Sequence, residues 1–229
     1  VVNGPFTFGP DGNPMIGPVP GLHNYWAAVG VMAGFCPGGG VARDGHAPRS
    51  RRSIGALGEP GPPVTSGRRV VFLDRDGVLT VPDEREGKGY AVRTLEAMRF
   101  YPDATSSVAR LRAAGFDVVV VTNQPDVAHG LSDTGTVEAI HAQVTEVTGV
   151  TRIRTCPHGR GDGCTCRKPL PGLLLEEDGV EPVDFSVSWM VGDRDSDLAA
   201  GRAVVARTVF IDRGWTGEKG EGAHAMVAT

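Results

Sequence analysis

Val70-Val71-Phe72-Leu73-Asp74-Arg75-Asp76-Gly77-Val78-Leu79-Thr80 is the stretch on which the reading of the chain turns. Four apolar residues in a row, two of them β-branched, predict a strand buried on both faces, as in the middle of a parallel sheet. The run stops at Asp74, and Gly77 allows a sharp turn where a side chain would crowd a ligand. In open α/β sheets ligands bind beyond the carboxyl ends of the strands. Two acids placed there can hold a divalent cation, and one of them can attack a phosphoryl group. Asp and Gly are also ordinary turn residues, so the stretch gains its meaning from polar groups elsewhere in the chain.

Outward from this strand, apolar runs and helical spacings alternate. A helix is expected over Asp103–Ala114, where Val108, Leu111 and Ala114 recur at helical spacing and Gly115 ends it. A strand follows at Phe116–Val121, ending in Thr122-Asn123-Gln124, then a helix over Thr134–Val147 and a strand at Arg152–Thr155. Next come a helix over Pro171–Glu177, a strand at Val187–Val191, a helix over Asp195–Ala203 and a strand at Thr208–Ile211. The segment holding Asp83, Glu84, Arg85, Glu86 and Lys88, which leads to Gly89-Tyr90, reads as a loop. This alternation implies an α/β fold, a doubly wound parallel sheet, over residues 68–229.

Four strand ends or helix starts bring polar groups to one edge of that sheet: Asp74 and Asp76; Thr122 and Asn123; Arg167 and Lys168; Asp193 with Asp197. Phosphoryl transfer needs an in-line nucleophile, a cation on the phosphate oxygens and donors that spread the transition-state charge. The inventory matches those needs, with Mg²⁺ as the cation and Thr122 and Lys168 as oxygen clamps. Cys156, His158, Cys164 and Cys166 form a second cluster, spaced Cys-x-His and Cys-x-Cys in one short loop. Three thiolates and one imidazole make a closed tetrahedral set suited to structural Zn²⁺, with a Cys156–Cys164 disulfide as the alternative.

Ahead of residue 68 the pattern changes. The chain has 229 residues with 33 Gly and 17 Pro, and much of that excess lies here. Residues 43–67 lack apolar periodicity and read as a Gly/Pro/Arg-rich linker. A net charge of −4 gives no support to nucleic-acid or anionic-membrane partners, although Arg49, Arg51 and Arg52 cluster locally. No apolar run approaches the roughly 20 residues that span a bilayer. Cysteines grouped as metal ligands point to a reducing, cytoplasmic setting, and a monomer is expected.

Asp74-Arg75-Asp76-Gly77-Val78, Thr122-Asn123-Gln124, Arg167-Lys168-Pro169 and Gly192-Asp193-Arg194-Asp195-Ser196-Asp197 together resemble the four motifs of the haloacid-dehalogenase superfamily of phosphatases, over about residues 69–215. The resemblance implies Asp74 as a nucleophile that becomes an aspartyl-phosphate, and Asp76 as general acid/base. It implies Thr122, Asn123 and Lys168 at the phosphate, and Mg²⁺ on the Asp74 and Asp193 side chains and the Asp76 carbonyl. The cysteine loop running into Arg167-Lys168 resembles the capless branch of heptose-bisphosphate and histidinol-phosphate phosphatases. Gly89-Tyr90 and Pro171-Gly172 resemble the D-glycero-D-manno-heptose 1,7-bisphosphate 7-phosphatase form, in which Arg167 would help to recognise the small sugar-phosphate ester. Histidinol phosphate is the alternative substrate. Departures from the branch are His129 in place of Arg, Val204-Val205 in place of a Gly-containing turn, and no clear final helix after Trp215. Residues 1–42, with Pro10-Asp11-Gly12 and Asn24-Tyr25-Trp26, resemble a segment of the flavin-binding domain of sarcosine and dimethylglycine dehydrogenases. The nucleotide fingerprint of that family is missing, so a remnant without cofactor is expected there, with a non-catalytic flavoprotein-derived fragment as the competing reading of the chain.

Overall fold

The computed structural model describes residues 67–228, together with the backbone of a short antiparallel pair, β1 (Gly17–Pro18) and β2 (Trp26–Ala27). The flavoenzyme-like segment and the linker otherwise lie outside the described residues.

From Val70 onward the elements follow the expected alternation: β3 (Val70–Leu73), α1 (Ala104–Ala113), β6 (Asp117–Asn123), α2 (Thr134–Thr148), β7 (Arg152–Cys156), α3 (Gly172–Val180), β8 (Trp189–Gly192), α4 (Asp195–Ala203) and β9 (Arg207–Asp212). Two elements were not expected. The acidic segment after the first motif is a hairpin, β4 (Asp83–Arg85) with β5 (Lys88–Tyr90). Its turn residues Glu86 and Gly87 both have positive φ, the conformation that two-residue hairpins favour. The chain's last described residues form β10 (Ala225–Ala228), where the sequence showed only the lack of a final helix. Part of the strand expected at Val187–Val191 is a 3₁₀ turn, Phe185–Val187, and the strand begins at Trp189.

All neighbours in the six-stranded sheet, ordered β10-β9-β8-β3-β6-β7, are parallel. From β3 the chain moves outward through β6 and β7, then returns to the other side of β3 for β8, β9 and β10. The reversal falls between β3 and β8, where an open sheet leaves a crevice beyond its strand ends.

Alternate residues of β3 serve opposite cores. Val71 and Leu73 pack with Val108 and Leu111 of α1 and Ile140 and Val144 of α2. Val70 and Phe72 pack with Leu173 and Leu174 of α3 and Ala200 of α4. Both faces are covered, which is why the strand needs four apolar residues in succession rather than every second one. Val205, in the turn after α4, is exposed with φ of 62°, so the Val-Val departure puts a β-branched residue in left-handed backbone. Among the described residues no helix is long and apolar enough to cross a membrane.

Candidate active site

The end of β3 turns tightly because Leu79 and Thr80 both donate their N–H groups to the Arg75 carbonyl at 2.9 Å. Asp74, at the strand's end, is buried and accepts from the Arg75 N–H at 2.7 Å. Lys168 reaches it from the loop after the cysteines: Nζ lies 2.9 Å from Asp74 Oδ1, 2.7 Å from Asp197 Oδ1 and 2.7 Å from the Val121 carbonyl. Asp197, fully buried, uses its other oxygen to accept from the Arg194 N–H at the start of α4. It therefore caps its own helix and grips the lysine together. Gly192 permits this approach, since a Cβ there would lie 2.2 Å from Asp197 Oδ2.

Asp193 completes the cluster. Ligand oxygens of Asp74, Asp193 and Asp197 all lie within 4.8 Å of one another. Trp215 Nε1 donates to Asp193 Oδ2 at 2.5 Å, while the buried Asp193 Oδ1 finds no hydrogen-bond partner among the described residues. Burial, then the neighbouring carboxylates Asp74 and Asp197, push the Asp193 carboxyl up to about 8. Burial pushes Asp74 up to about 7, with Lys168 opposing and Asp197 and Asp76 adding to it. Crowded acids with an orphaned oxygen, in a place water barely reaches, fit a hard divalent cation.

Asp76 faces away from this cluster. Its Oδ2 accepts from Arg75 Nε at 3.1 Å, Arg75 Nη2 at 2.8 Å and Gln124 Nε2 at 3.0 Å, and its Oδ1 accepts from Thr80 Oγ1 at 3.0 Å. Arg75 is wholly buried, and its Nη1 meets His141 Nε2 at 3.2 Å. Burial and Arg75 hold His141 down at about 4, so it meets the guanidinium as a neutral acceptor. Gln124 also donates to Thr122 Oγ1 at 2.7 Å, joining the second motif to the first. Asn123 clasps the Lys168 backbone from both sides: Lys168 N–H to Oδ1 and Nδ2 to the Lys168 carbonyl, both 3.1 Å. Its amide thus positions the lysine.

The cysteine loop is tied into the same edge. β6 and β7 pair Asn123 with Cys156, and the Gln124 N–H donates to the Cys156 carbonyl at 2.7 Å. Cys156 Sγ lies 3.8 Å from Cys164 Sγ and 3.6 Å from His158 Nδ1, which is 3.3 Å from Cys166 Sγ. Cys156, Cys164 and Cys166 are free, so the Cys156–Cys164 disulfide is not formed. A tetrahedron with arms of about 2.3 Å has edges of roughly 3.8 Å, so the loop fits zinc. Burial pushes the Cys156 thiol up to about 12, a cost that a bound cation removes by taking the thiolate. Arg167 Nη1 donates to the His158 carbonyl at 2.9 Å. Arg167, Gly89, Tyr90, Arg194 and His129 line an open cleft of about 1290 Å³ whose floor holds Asp74, Thr122 and Lys168.

Buried acids, one ammonium and a turn that ends a parallel strand are the equipment of a phosphoryl-transferring hydrolase. The chain belongs to the haloacid-dehalogenase-like phosphatases, in the branch that holds the heptose-bisphosphate 7-phosphatases. A family model described as "HAD-hyrolase-like" matches residues 165–227. D-glycero-beta-D-manno-heptose-1,7-bisphosphate 7-phosphatase of Pseudomonas aeruginosa is 39% identical over 152 residues, 64% of this chain and 83% of that protein. The D-glycero-alpha-D-manno-heptose-1,7-bisphosphate 7-phosphatase of Mycobacterium tuberculosis is 37% identical over 142 residues, 59% of this chain and 73% of that protein. The solved D,D-heptose 1,7-bisphosphate phosphatase of Bordetella bronchiseptica, complexed with magnesium and phosphate, superposes with a TM-score of 0.60 at 32% identity. It covers 69% of this chain and 91% of its own. The chain is therefore a phosphoric monoester hydrolase. Neither the family model nor these relatives support the flavoenzyme resemblance of residues 1–42.

Sequence reasoning assigned no role to Arg75, Gln124, His141 or Trp215. Arg75 and Gln124 stood within recognised motifs and could have been found there; His141 and Trp215 act through contacts that no local spacing announces. The raised carboxyls carry a consequence for stability. A carboxyl near 4 when unfolded and near 7 to 8 when folded binds more protons in the native state, so metal-free stability falls as pH rises through that window. A divalent cation displaces those protons, so magnesium should raise the melting temperature more at pH 8 than at pH 6. Paired thermal scans with and without magnesium check this, and an equal or smaller gain at pH 8 would contradict it.

Proposed function

We propose that the chain removes the 7-phosphate of D-glycero-D-manno-heptose 1,7-bisphosphate through an aspartyl-phosphate on Asp74. What carries this reading is the meeting of Asp74, Lys168, Asp193 and Asp197 in one buried cluster at the sheet's reversal point. The names of the relatives supply the sugar; neither of the two anomers in those names is favoured.

An Asp74 oxygen attacks phosphorus in line as the bond to the sugar oxygen breaks, and Asp76 gives that oxygen its proton. Water then attacks the acyl phosphate, Asp76 takes the water's proton, and the Asp74–phosphorus bond breaks to release inorganic phosphate. For this Asp76 must turn from Arg75 and Gln124 toward the cleft. Thr122 Oγ1 and Lys168 Nζ hold the equatorial oxygens, and Asn123 keeps the lysine in register. Asp74 and Asp193 with the Asp76 carbonyl would hold Mg²⁺, which when bound neutralises phosphate charge. Asp197, engaged by Lys168 and the Arg194 N–H, braces the lysine. Gly89, Tyr90 and Arg167, on the cleft wall, are placed to meet the rest of the sugar phosphate.

A panel of small phosphate esters containing heptose bisphosphate and histidinol phosphate tests the assignment. Heptose bisphosphate should be the preferred ester, its hydrolysis magnesium-dependent and reduced by roughly four orders of magnitude or more in Asp74→Asn. Preference for histidinol phosphate would overturn the substrate, and full activity in Asp74→Asn would overturn the mechanism. Zn²⁺ on Cys156, His158, Cys164 and Cys166 would be structural, because four protein ligands leave no place for water. It would hold both the end of β7 and the residue two before Lys168. Metal analysis should find about one zinc per chain, lost in Cys164→Ser together with much of the phosphatase activity. A zinc-free protein of full activity would contradict this role.

A further inference from the structure

We propose that Trp215 is a positioning residue for the acidic cluster: its indole N–H holds one oxygen of Asp193 so that the other faces the divalent cation, and its ring carries the β4–β5 hairpin. The inference rests on the proposed cation site and goes beyond it, since Trp215 belongs to none of the four motifs. Asp193 is 1% exposed, yet Trp215 Nε1 at 2.5 Å is its one hydrogen-bond donor among the described residues. The backbone of Gly77, φ 91°, seals the same oxygen from behind, because a Cβ there would lie 1.8 Å from Asp193 Oδ2. With Oδ2 fixed between an indole and a backbone, Oδ1 is the oxygen left for metal.

The same edge of the indole, at Cζ2 and Cε2, lies near the hairpin. A Cβ on Gly89 would stand 3.0 Å from Trp215 Cζ2 and 3.0 Å from Pro82 Cγ, so a side chain there would crowd the ring. The Thr216 N–H donates to the Gly87 carbonyl at 2.8 Å, and Arg194 donates to the Gly89 carbonyl. Just before the tryptophan, Arg213 Nε donates to the Gly77 carbonyl at 2.9 Å, pinning the segment to the first motif's turn. One side chain thus touches a metal ligand and the wall of the cleft. Groups that orient metal ligands from behind commonly contribute 10- to 100-fold in affinity or activity.

Magnesium is titrated calorimetrically into the full chain and into its Trp215→Phe and Trp215→Leu variants, with metal-free melting temperatures measured alongside. Phenylalanine keeps an aromatic ring in the indole's place and loses the N–H with the outer part of the ring surface. Trp215→Phe should therefore bind magnesium roughly 10- to 100-fold more weakly while melting close to the parent. Trp215→Leu should lose both affinity and melting temperature. A second reading uses emission: magnesium should change the indole fluorescence of the parent and of Trp189→Phe, and not that of Trp215→Phe. Parent-like affinity in Trp215→Phe, or a magnesium response that survives in its emission, overturns the proposal and leaves the phosphatase reading intact. A parent chain that binds no magnesium would overturn the cation site itself, and this inference with it.

Discussion

Lys168 is the interaction on which the site depends. Its ammonium, nine-tenths and more withdrawn from water, stands between Asp74 and Asp197, with Asp193 alongside. Withdrawing an ammonium from water is costly, and its partners here offset that cost strongly enough to leave its proton affinity above the usual lysine value. Three carboxylates against one ammonium leave two negative charges uncompensated when all are ionised. A divalent cation supplies that difference, and the raised Asp74 and Asp193 carboxyls are the sign of its demand.

Much of the fold serves to bring this lysine to that point. Asp74 and Asp193 end adjacent parallel strands, so their spacing follows from the ladder that pairs Leu73 with Val191. Lys168 comes from no strand; it is held by Asn123 at the end of β6 and by a loop whose thiols and imidazole gather at zinc-like distances. Removal of the loop's shape would release a cation into a cleft that needs it fixed. Far from the site, Glu177 is buried under Arg68, Arg152 and Arg154 and joins α3 to β7. Burial alone would raise its carboxyl, and the three guanidiniums more than offset that. The helix after the cysteine loop is thereby held to the sheet.

The parallel sheet was legible because β3, β6 and β8 are buried on both faces and so appear as apolar runs bounded by polar ends. Asp74, Thr122 and Asp193 could be read for the same reason, each sitting at or just past the end of such a run, whereas Lys168 lies in a loop and was read from Arg167-Lys168-Pro169. The hairpin was not, since Asp83, Glu84 and Lys88 are exposed and carry no alternation of apolar and polar residues. β10 was hidden differently, as an edge strand of four residues with alternating partial burial. Asp197 showed as a helix-start acid, but its grip on Lys168 spans separate segments, as does the pairing of Arg75 with His141. Asn123 was read at the phosphate from its place after Thr122; its two hydrogen bonds to the Lys168 backbone join segments 45 residues apart, which no local pattern announces.

The most direct test of this arrangement is a crystal structure determined with magnesium and inorganic phosphate. One magnesium should be bound by Asp74 and by the free oxygen of Asp193, with phosphate against Thr122 Oγ1 and Lys168 Nζ. Magnesium bound elsewhere, or phosphate seated away from Lys168, would show that the buried cluster is a structural ion network and not the seat of the chemistry.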